Sequence, residues 1–178
     1  MGNVKGVRLR GLELDGAVIA SAQLRFTFSG AYNQATYADF ADAPCPADVA
    51  GAPGGQQQCN FTGKTLPFAP TLSGNVGFDY QFPVGRAFAL RVHANLVHRG
   101  SANYNAGLAQ AGAQDGYNLV DGGIGIASAN GKWELDLVGK NLADTHYVTN
   151  IGAFSTTSAV TATPGERRYV GIVLRTRI

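Results

Sequence analysis

The chain lacks any uninterrupted apolar run of about eighteen residues, the minimum a helix needs to cross a bilayer, which argues against a helical membrane protein. It is also poor in charge. Only 15% of its 178 residues are Asp, Glu, Lys or Arg and the net charge is +2, so there is no broad basic face to serve nucleic acid. No helical period is visible anywhere, and the two cysteines lack a neighbouring histidine pair of the kind zinc requires. The opening residues Met1-Gly2-Asn3-Val4-Lys5-Gly6 contain no apolar h-region and no small-residue cleavage site. An exported protein with this start has lost its signal or is a piece of a longer chain. The second is the expectation here, because Val7 onward already reads as strand.

What is present is turn chemistry and alternation. The 24 glycines and seven prolines mark many turns, and 10% aromatic content is enough for membrane girdles or a sandwich core. Mean hydropathy is −0.03, a value that suits a strand-built membrane wall as well as a soluble protein. The length admits one domain with a real core.

Period-two alternation recurs in segment after segment. Ala22, Leu24, Phe26, Phe28, Gly30 and Tyr32 oppose Gln23, Arg25, Thr27, Ser29 and Asn33. Leu72, Val76, Phe78, Tyr80 and Phe82 oppose Ser73, Asn75, Asp79 and Gln81, and Phe88, Leu90, Val92, Ala94 and Leu96 oppose Arg91, His93 and Asn95. Val120, Ile124 and Ile126 face away from Asp121, while Trp133, Leu135 and Leu137 oppose Glu134, Asp136 and Lys140. The last segment sets Val170, Ile172, Leu174, Thr176 and Ile178 against Arg167, Gly171, Arg175 and Arg177. With an opening segment over residues 7–19, these make about seven strands. In that opening segment Arg8 and Arg10 share the parity of Leu12, which places them above a bilayer or beside a bulge at Gly11.

Connection lengths sort by side. Short turns are expected at residues 19–22, 83–86 and 129–132, and long loops at 38–70, 101–116 and 151–166. Short periplasmic turns with long extracellular loops are the habit of outer-membrane barrels, and a terminal strand ending in the periplasm puts every long loop outside. Tyr32, Tyr37 and Tyr104 then lie toward the outer rim, and Phe82, Phe88 and Trp133 flank the short turns, as interfacial girdles do. The strands reaching beyond the nine to eleven residues of a membrane span are expected to continue outward as hairpin walls. The reading is all-β: a portion of an antiparallel transmembrane β-barrel with about seven meandering strands.

Cys45 and Cys59 lie in a Pro/Gly/Gln-rich stretch at residues 41–63, and a disulfide there would stabilise by roughly 3 kcal/mol in the chain-entropy model and requires an oxidising compartment. Two unrelated thiols are the alternative.

Two stretches carry a family resemblance. Lys140-Asn141-Leu142-Ala143-Asp144-Thr145-His146-Tyr147, followed by a loop, Pro164-Gly165-Glu166-Arg167-Arg168 and a terminal strand, resembles the C-terminal end of TonB-dependent outer-membrane receptors. Asn3 to Leu14, with Arg10-Gly11-Leu12-Glu13 toward its end, resembles the Arg-Gly-x-Glu strand found some seven strands from that family's end. The motif residues are Asn141, Leu142, Asp144, Tyr147, Gly165 and Arg167. In the terminal strand Gly171, Ile172, Leu174 and Ile178 stand where the family carries the signal read by the barrel-assembly machinery. Two positions depart from the pattern: the proline precedes Gly165 instead of following it, and Ile178 replaces the usual final aromatic.

The resemblance implies a bacterial outer-membrane protein embedded in lipid. It implies a plug domain and a TonB-contacting segment that this sequence does not contain, so residues 1–178 are expected to be a single incomplete domain from the barrel's C-terminal part. It further implies ligand-gated import of a scarce nutrient of the siderophore, vitamin or carbohydrate class, energised by TonB and its inner-membrane motor through the plug, with no cofactor.

Chemistry of other kinds finds little footing. His93 and His98, five apart on one strand, fall on opposite faces, and His146 lies elsewhere. Glu134 and Asp136 share a face and could form a carboxylate pair, but polar lumenal faces are what barrels need in any case. No Ser, His and acid fall into a recognisable catalytic pattern, so no enzyme is expected. Gly122-Gly123-Ile124-Gly125 precedes no helix and reads as close strand packing, not a phosphate loop. Arg25, Asp79, Arg91, Glu134, Asp136, Lys140, Arg175 and Arg177 make a mixed-sign inner face, suited to ion pairing and plug contact more than to capture of an anion. Two other readings stay open at this point: a small autonomous barrel with a structural or adhesion role, which needs an eighth strand within residues 41–70, and a soluble β-sandwich, which needs a partner sheet over each apolar face.

Overall fold

Alternation commits each segment to the extended backbone, and the three short turns commit the strands they join to antiparallel pairs. The computed structural model describes residues 4–46, 58–153 and 160–177. In chain order the strands are β1 (Gly6–Ile19), β2 (Leu24–Asp39), a short pair β3 (Ala43–Pro44) and β4 (Gln58–Cys59), then β5 (Leu72–Val84) and β6 (Phe88–Arg99). A second short pair follows, β7 (Ala102–Asn103) and β8 (Ala113–Gln114), then β9 (Tyr117–Ser128), β10 (Trp133–Lys140), the hairpin β11 (Val148–Ala153) and β12 (Val160–Pro164), and β13 (Tyr169–Thr176). Seven of them form one antiparallel sheet in the order β1-β2-β5-β6-β9-β10-β13, and the rest form three two-stranded hairpins.

The register carries the alternation across the whole wall. Leu24, Tyr80, Val92, Ile124, Leu137 and Ile172 pair in one row, and Phe82, Leu90, Ile126, Leu135 and Leu174 in the next. Leu12, Leu14 and Val18 of β1 face Tyr32, Gly30 and Phe26 of β2 on the same side. This apolar face is bare: Ile172 is 73% exposed and Leu12 72%. A soluble sandwich would bury such side chains for about 1.5–3 kcal/mol each. Among the described residues no second large sheet covers this face, and no large side chain is fully buried. The sandwich reading fails on that observation. Within residues 41–70 the described part adds only the β3–β4 pair and a Thr36–Thr65 bridge, and no eighth wall strand.

The short connections lie at one end, between β1 and β2, β5 and β6, and β9 and β10; the long ones all lie at the other. Gly85 (φ +64°) and Gly131 (φ +69°) supply the left-handed backbone two of the tight turns require. Phe88 and Trp133 pack at 5.9 Å, and Tyr80 and Phe82 at 5.3 Å, beside the short turns. Tyr32 is exposed on the apolar face near the other end. Tyr37 and Tyr104 differ from the girdle expectation, for both turn inward and are buried in loop packing.

The β1–β2 hairpin outgrows the wall. β5 starts opposite Tyr32, whereas β2 runs on to Asp39 with β1 still paired to it. The only irregularity in that pairing falls between Gly6 and Val7, not at Gly11. Gly11 answers a different need: a Cβ there would sit 2.6 Å from the Tyr32 carbonyl oxygen.

Candidate functional site

The polar face of the wall and the loop layer above it are where a ligand or a plug would be met. On that face Arg25, Asp79, His93 and Gly123 fall in one register row that runs on through Val138 to Gly171, and Gln81, Arg91, Gly125 and Asp136 in the next. The charges join up across strands. Arg91 bridges to Glu134, while Arg175 donates from Nη1 to Glu134 Oε1 at 2.9 Å and to Asp136 Oδ2 at 2.6 Å. Asp136 is 3% exposed, and its carboxylate lies directly over Gly125, the space a side chain there would take. His93 likewise lies over Gly123. The glycines of β9 are thus a shallow seam into which neighbouring strands fold polar side chains. Higher up, Ser29 donates to Asn75, which donates to Asn95 Oδ1 at 3.2 Å.

The mixed-sign face is therefore largely self-neutralised, two cations against two carboxylates in the ladder and Lys140 with Asp121 at 2.6 Å. Arg25 and Arg177 make no ion pair among the described residues. The histidines stand apart, His93 on the polar face, His98 hydrogen-bonded to Asn118 at 2.8 Å on the other, and His146 beyond β10. No three potential metal ligands converge among the described residues.

Past Lys140 the chain turns a corner that brings together the residues of the Asn-Leu-x-Asp-x-x-Tyr element. Asn141 (φ +45°) and Asp144 (φ +52°) adopt the left-handed conformation that Asn and Asp tolerate better than most residues. The Asn141 amide, 3% exposed, donates from Nδ2 to the carbonyls of Thr145 (2.8 Å) and Glu166 (2.9 Å) and accepts the Thr145 N–H (2.9 Å). Its own N–H donates to Asp121 Oδ1 at 2.9 Å. Leu142 covers Gly139 and its N–H donates to the Val120 carbonyl at 2.7 Å. Asp144 accepts Nε and Nη2 of Arg167 at 3.1 and 3.0 Å and the Arg168 N–H at 3.2 Å. Those donors hold its carboxyl down at about 2, and raise Arg167 in return. Tyr147 packs on Gly165, accepts the Glu166 N–H on its hydroxyl, and stacks on Tyr117 at 4.7 Å. Six motif residues from two separate stretches thus close one corner that links the end of β10 to the start of β13 and packs against β9.

Above it the three long connections form a single layer. The disulfide Cys45–Cys59 (Cα–Cα 4.9 Å) closes the first, beside a cluster of Tyr37, Phe40, Ala43 and Phe61. Phe68 donates its N–H to the Asn103 carbonyl and stacks edge-on against Tyr104, over whose ring Arg99 lies at 5.9 Å. Asn105 Nδ2 donates to the Ile151 carbonyl at 3.0 Å, and the Ile151 N–H donates to the Tyr104 carbonyl at 3.0 Å. Sequence alternation gave no sign of Asn105 or of the role of Asp121, because both depend on which strands and loops become neighbours.

In the terminal strand Ile172 and Leu174 stand on the apolar face and Gly171 on the polar one, opposite Val138. Ile178 lies outside the described residues, as does Asn3.

The model of the TonB dependent receptor-like β-barrel family matches residues 1–142, ending inside the Asn141 corner. The chain is similar in structure to the ferric yersiniabactin uptake receptor FyuA from Yersinia pestis, with a TM-score of 0.74 and 18% identity over 96% of this chain and 23% of that one. It is similar also to the ferric-catecholate import receptor Fiu from E. coli K12, with a TM-score of 0.64 and 19% identity over 94% of this chain and 20% of that one. No curated protein matches it in sequence. At such identities the likeness speaks for the fold, and the chain spans less than a quarter of either receptor's length. Family and neighbours alike are receptors and transporters, not enzymes. An all-β meander with a bare apolar face, a self-paired polar face and a family match over residues 1–142 agree on one conclusion: the chain belongs to the TonB-dependent receptor β-barrel family, whose members are outer-membrane proteins.

Proposed function

We propose that residues 1–178 are a single, incomplete domain, the C-terminal part of the barrel of a TonB-dependent receptor in the bacterial outer membrane that imports a scarce nutrient. One observation carries this reading: every long connection lies at the same end of a sheet whose one face is apolar through its middle rows and polar only toward its ends. The apolar face meets lipid, and the loop layer captures the ligand. A plug held against the polar face reports occupancy to TonB, whose inner-membrane motor supplies the energy. That both structural neighbours are named for ferric siderophores favours that class over vitamins or carbohydrates.

The terminal strand is proposed as the segment recognised by the barrel-assembly machinery, through Gly171, Ile172, Leu174 and Ile178. The Asn141 corner, with Leu142, Asp144, Tyr147, Gly165 and Arg167, is proposed as its anchor at the outer rim.

The test is uptake in a receptor-deleted strain. The full receptor carrying this segment restores uptake of a ferric siderophore from a labelled panel, and residues 1–178 alone do not. Uptake by the segment alone would overturn the reading. Ile178→Phe raises the surface level of the full receptor or leaves it unchanged, and a fall would remove the terminal-signal assignment.

A further inference from the structure

Arg8 and Arg10 occupy an unusual place for a cation. They lie on the apolar face of β1, where Arg10 pairs with Gln34 and Arg8 with Thr36, directly beyond the Leu12–Tyr32 pair. Both are exposed. Among the described residues neither makes an ion pair. The acids of the same strand cannot serve them, because Glu13 and Asp15 alternate onto the opposite face against Ala31 and Ser29.

Their height follows from strand geometry. Val18 sits at the short-turn end, and Arg10 is eight residues further along the same strand. At about 3.3 Å per residue and a tilt of about 40°, that separation is about 20 Å along the membrane normal, against an apolar band about 25 Å tall. Arg10 therefore stands at the loop-side limit of the band, and Arg8 just above it. Two guanidiniums on adjacent same-face positions are about 7 Å apart at their Cα atoms and can share one phosphate through charge-assisted N–H donors. Beside them the Gln34 amide, which donates to the Tyr32 hydroxyl at 2.7 Å, and the Thr36 hydroxyl offer polar partners for sugar hydroxyls.

We propose that Arg8 and Arg10 bind the phosphate of a phosphorylated glycolipid of the outer leaflet, whose acyl chains lie along Leu12, Leu14 and Val18. The proposal rests on the outer-membrane reading above, since only there does the loop end of the wall meet that leaflet. An unpaired cation pair over an apolar stripe is complementary to such a lipid on both counts, charge above and hydrocarbon below.

The test uses the full receptor carrying this segment, purified in detergent, stripped of lipid and titrated with lipid A, dephosphorylated lipid A and phosphatidylglycerol, with bound lipid read by native mass spectrometry. Wild type binds lipid A at least about tenfold more tightly than either comparison lipid, and R8Q/R10Q loses that margin. K132Q, at the short-turn end, keeps it. R8K/R10K, which keeps the charge and loses the bidentate geometry, falls between. Heat-modifiable gel migration identifies folded variants, and if R8Q/R10Q does not fold, R8K/R10K carries the test. Equal affinity for dephosphorylated lipid A, or a folded R8Q/R10Q variant that binds as wild type does, overturns the proposal. So does phosphatidylglycerol bound as tightly with the same dependence on both arginines. Protease access to the 41–63 loop on intact cells separates the two readings. Loss of surface access sinks the outer-membrane assignment, whereas an accessible loop with unchanged lipid affinity sinks the lipid site alone.

Discussion

Replacing Asn141 by alanine removes three hydrogen bonds made by one buried amide, to the Thr145 and Glu166 carbonyls and from the Thr145 N–H. Each is worth about 0.5–1.5 kcal/mol net, and a left-handed alanine costs about 1–2 kcal/mol beyond that. Water reaching the partly exposed corner recovers some of the loss. The expected destabilisation of the corner is about 2–4 kcal/mol, or roughly 30- to 1,000-fold faster local opening. Hydrogen exchange on the folded receptor reads this at the Leu142 and Gly165 amides, which donate to Val120 and Tyr147 carbonyls across the corner. Asn141→Gly keeps the backbone conformation while losing the bonds, and should be milder than alanine. Amides in the middle of β10 should be unaffected by either change. If Asn141→Ala accelerates exchange at Leu142 and Gly165 by less than about threefold, the corner is not held by Asn141, and its place in the motif needs another cause.

Three further outcomes follow from the same geometry. Asp144 titrates at about 2 instead of 3.8 because Arg167 and the Arg168 N–H favour its charged form. A depressed carboxylate stabilises the fold above its unfolded value and loses that contribution as pH falls through the folded one, so protection of the Arg168 amide should drop between pH 4 and 2. Asp144→Asn should remove that pH dependence, and a wild-type profile flat across the window would refute the pairing. Gly125→Ala should cost about 1–3 kcal/mol in urea unfolding, because the new methyl takes the place of the Asp136 carboxylate. Gly30→Ala, with nothing within 4 Å of the added carbon, is the near-neutral control. Reduction of Cys45–Cys59 should release a loop worth roughly 3 kcal/mol of closure and speed proteolysis at residues 41–63 while the wall strands stay resistant; equal cleavage with and without reductant would show that the aromatic cluster alone holds the loop.

Side-chain parity was legible because it is local: each wall strand declares its faces within a few residues, and the bare face of Leu12, Ile172 and their neighbours follows from that. Connection lengths were legible for the same reason. Pairing was not, since alternation is blind to which residue stands opposite which. Gly125 under Asp136, Asp121 beneath Asn141 and Lys140, and the Arg91–Glu134–Arg175 ladder all depend on register between strands. Tyr37 and Tyr104 show where local reading misleads. Their sequence positions mark the rim correctly, but β2 outgrows the wall there and loop residues fold over it, so both rings turn into the layer and away from lipid. Gly11 misleads in the opposite way, for its missing side chain accommodates the Tyr32 carbonyl and not a bulge.

The self-pairing of the polar face has a consequence for where selection would occur under the proposed import function. Arg91 and Arg175 are both engaged by carboxylates on β10, and Lys140 by Asp121, so these cations carry little field into the space beside the wall. An anionic ligand passing that face would have to break ion pairs anchored on Asp136, a nearly buried carboxylate whose loss of a partner is costly. Under that proposal discrimination would fall to the loop layer, where Arg99 lies over the Tyr104 ring and, among the described residues, makes no ion pair. Because Phe68–Asn103 and Ile151–Tyr104 backbone hydrogen bonds and the Asn105 side-chain amide tie the three loops, displacing one loop for a ligand would strain the other two. Under the proposed function, capture at such a layer would be a concerted event, joined to the wall through the Tyr117–Tyr147 stack and the Asn141 corner below.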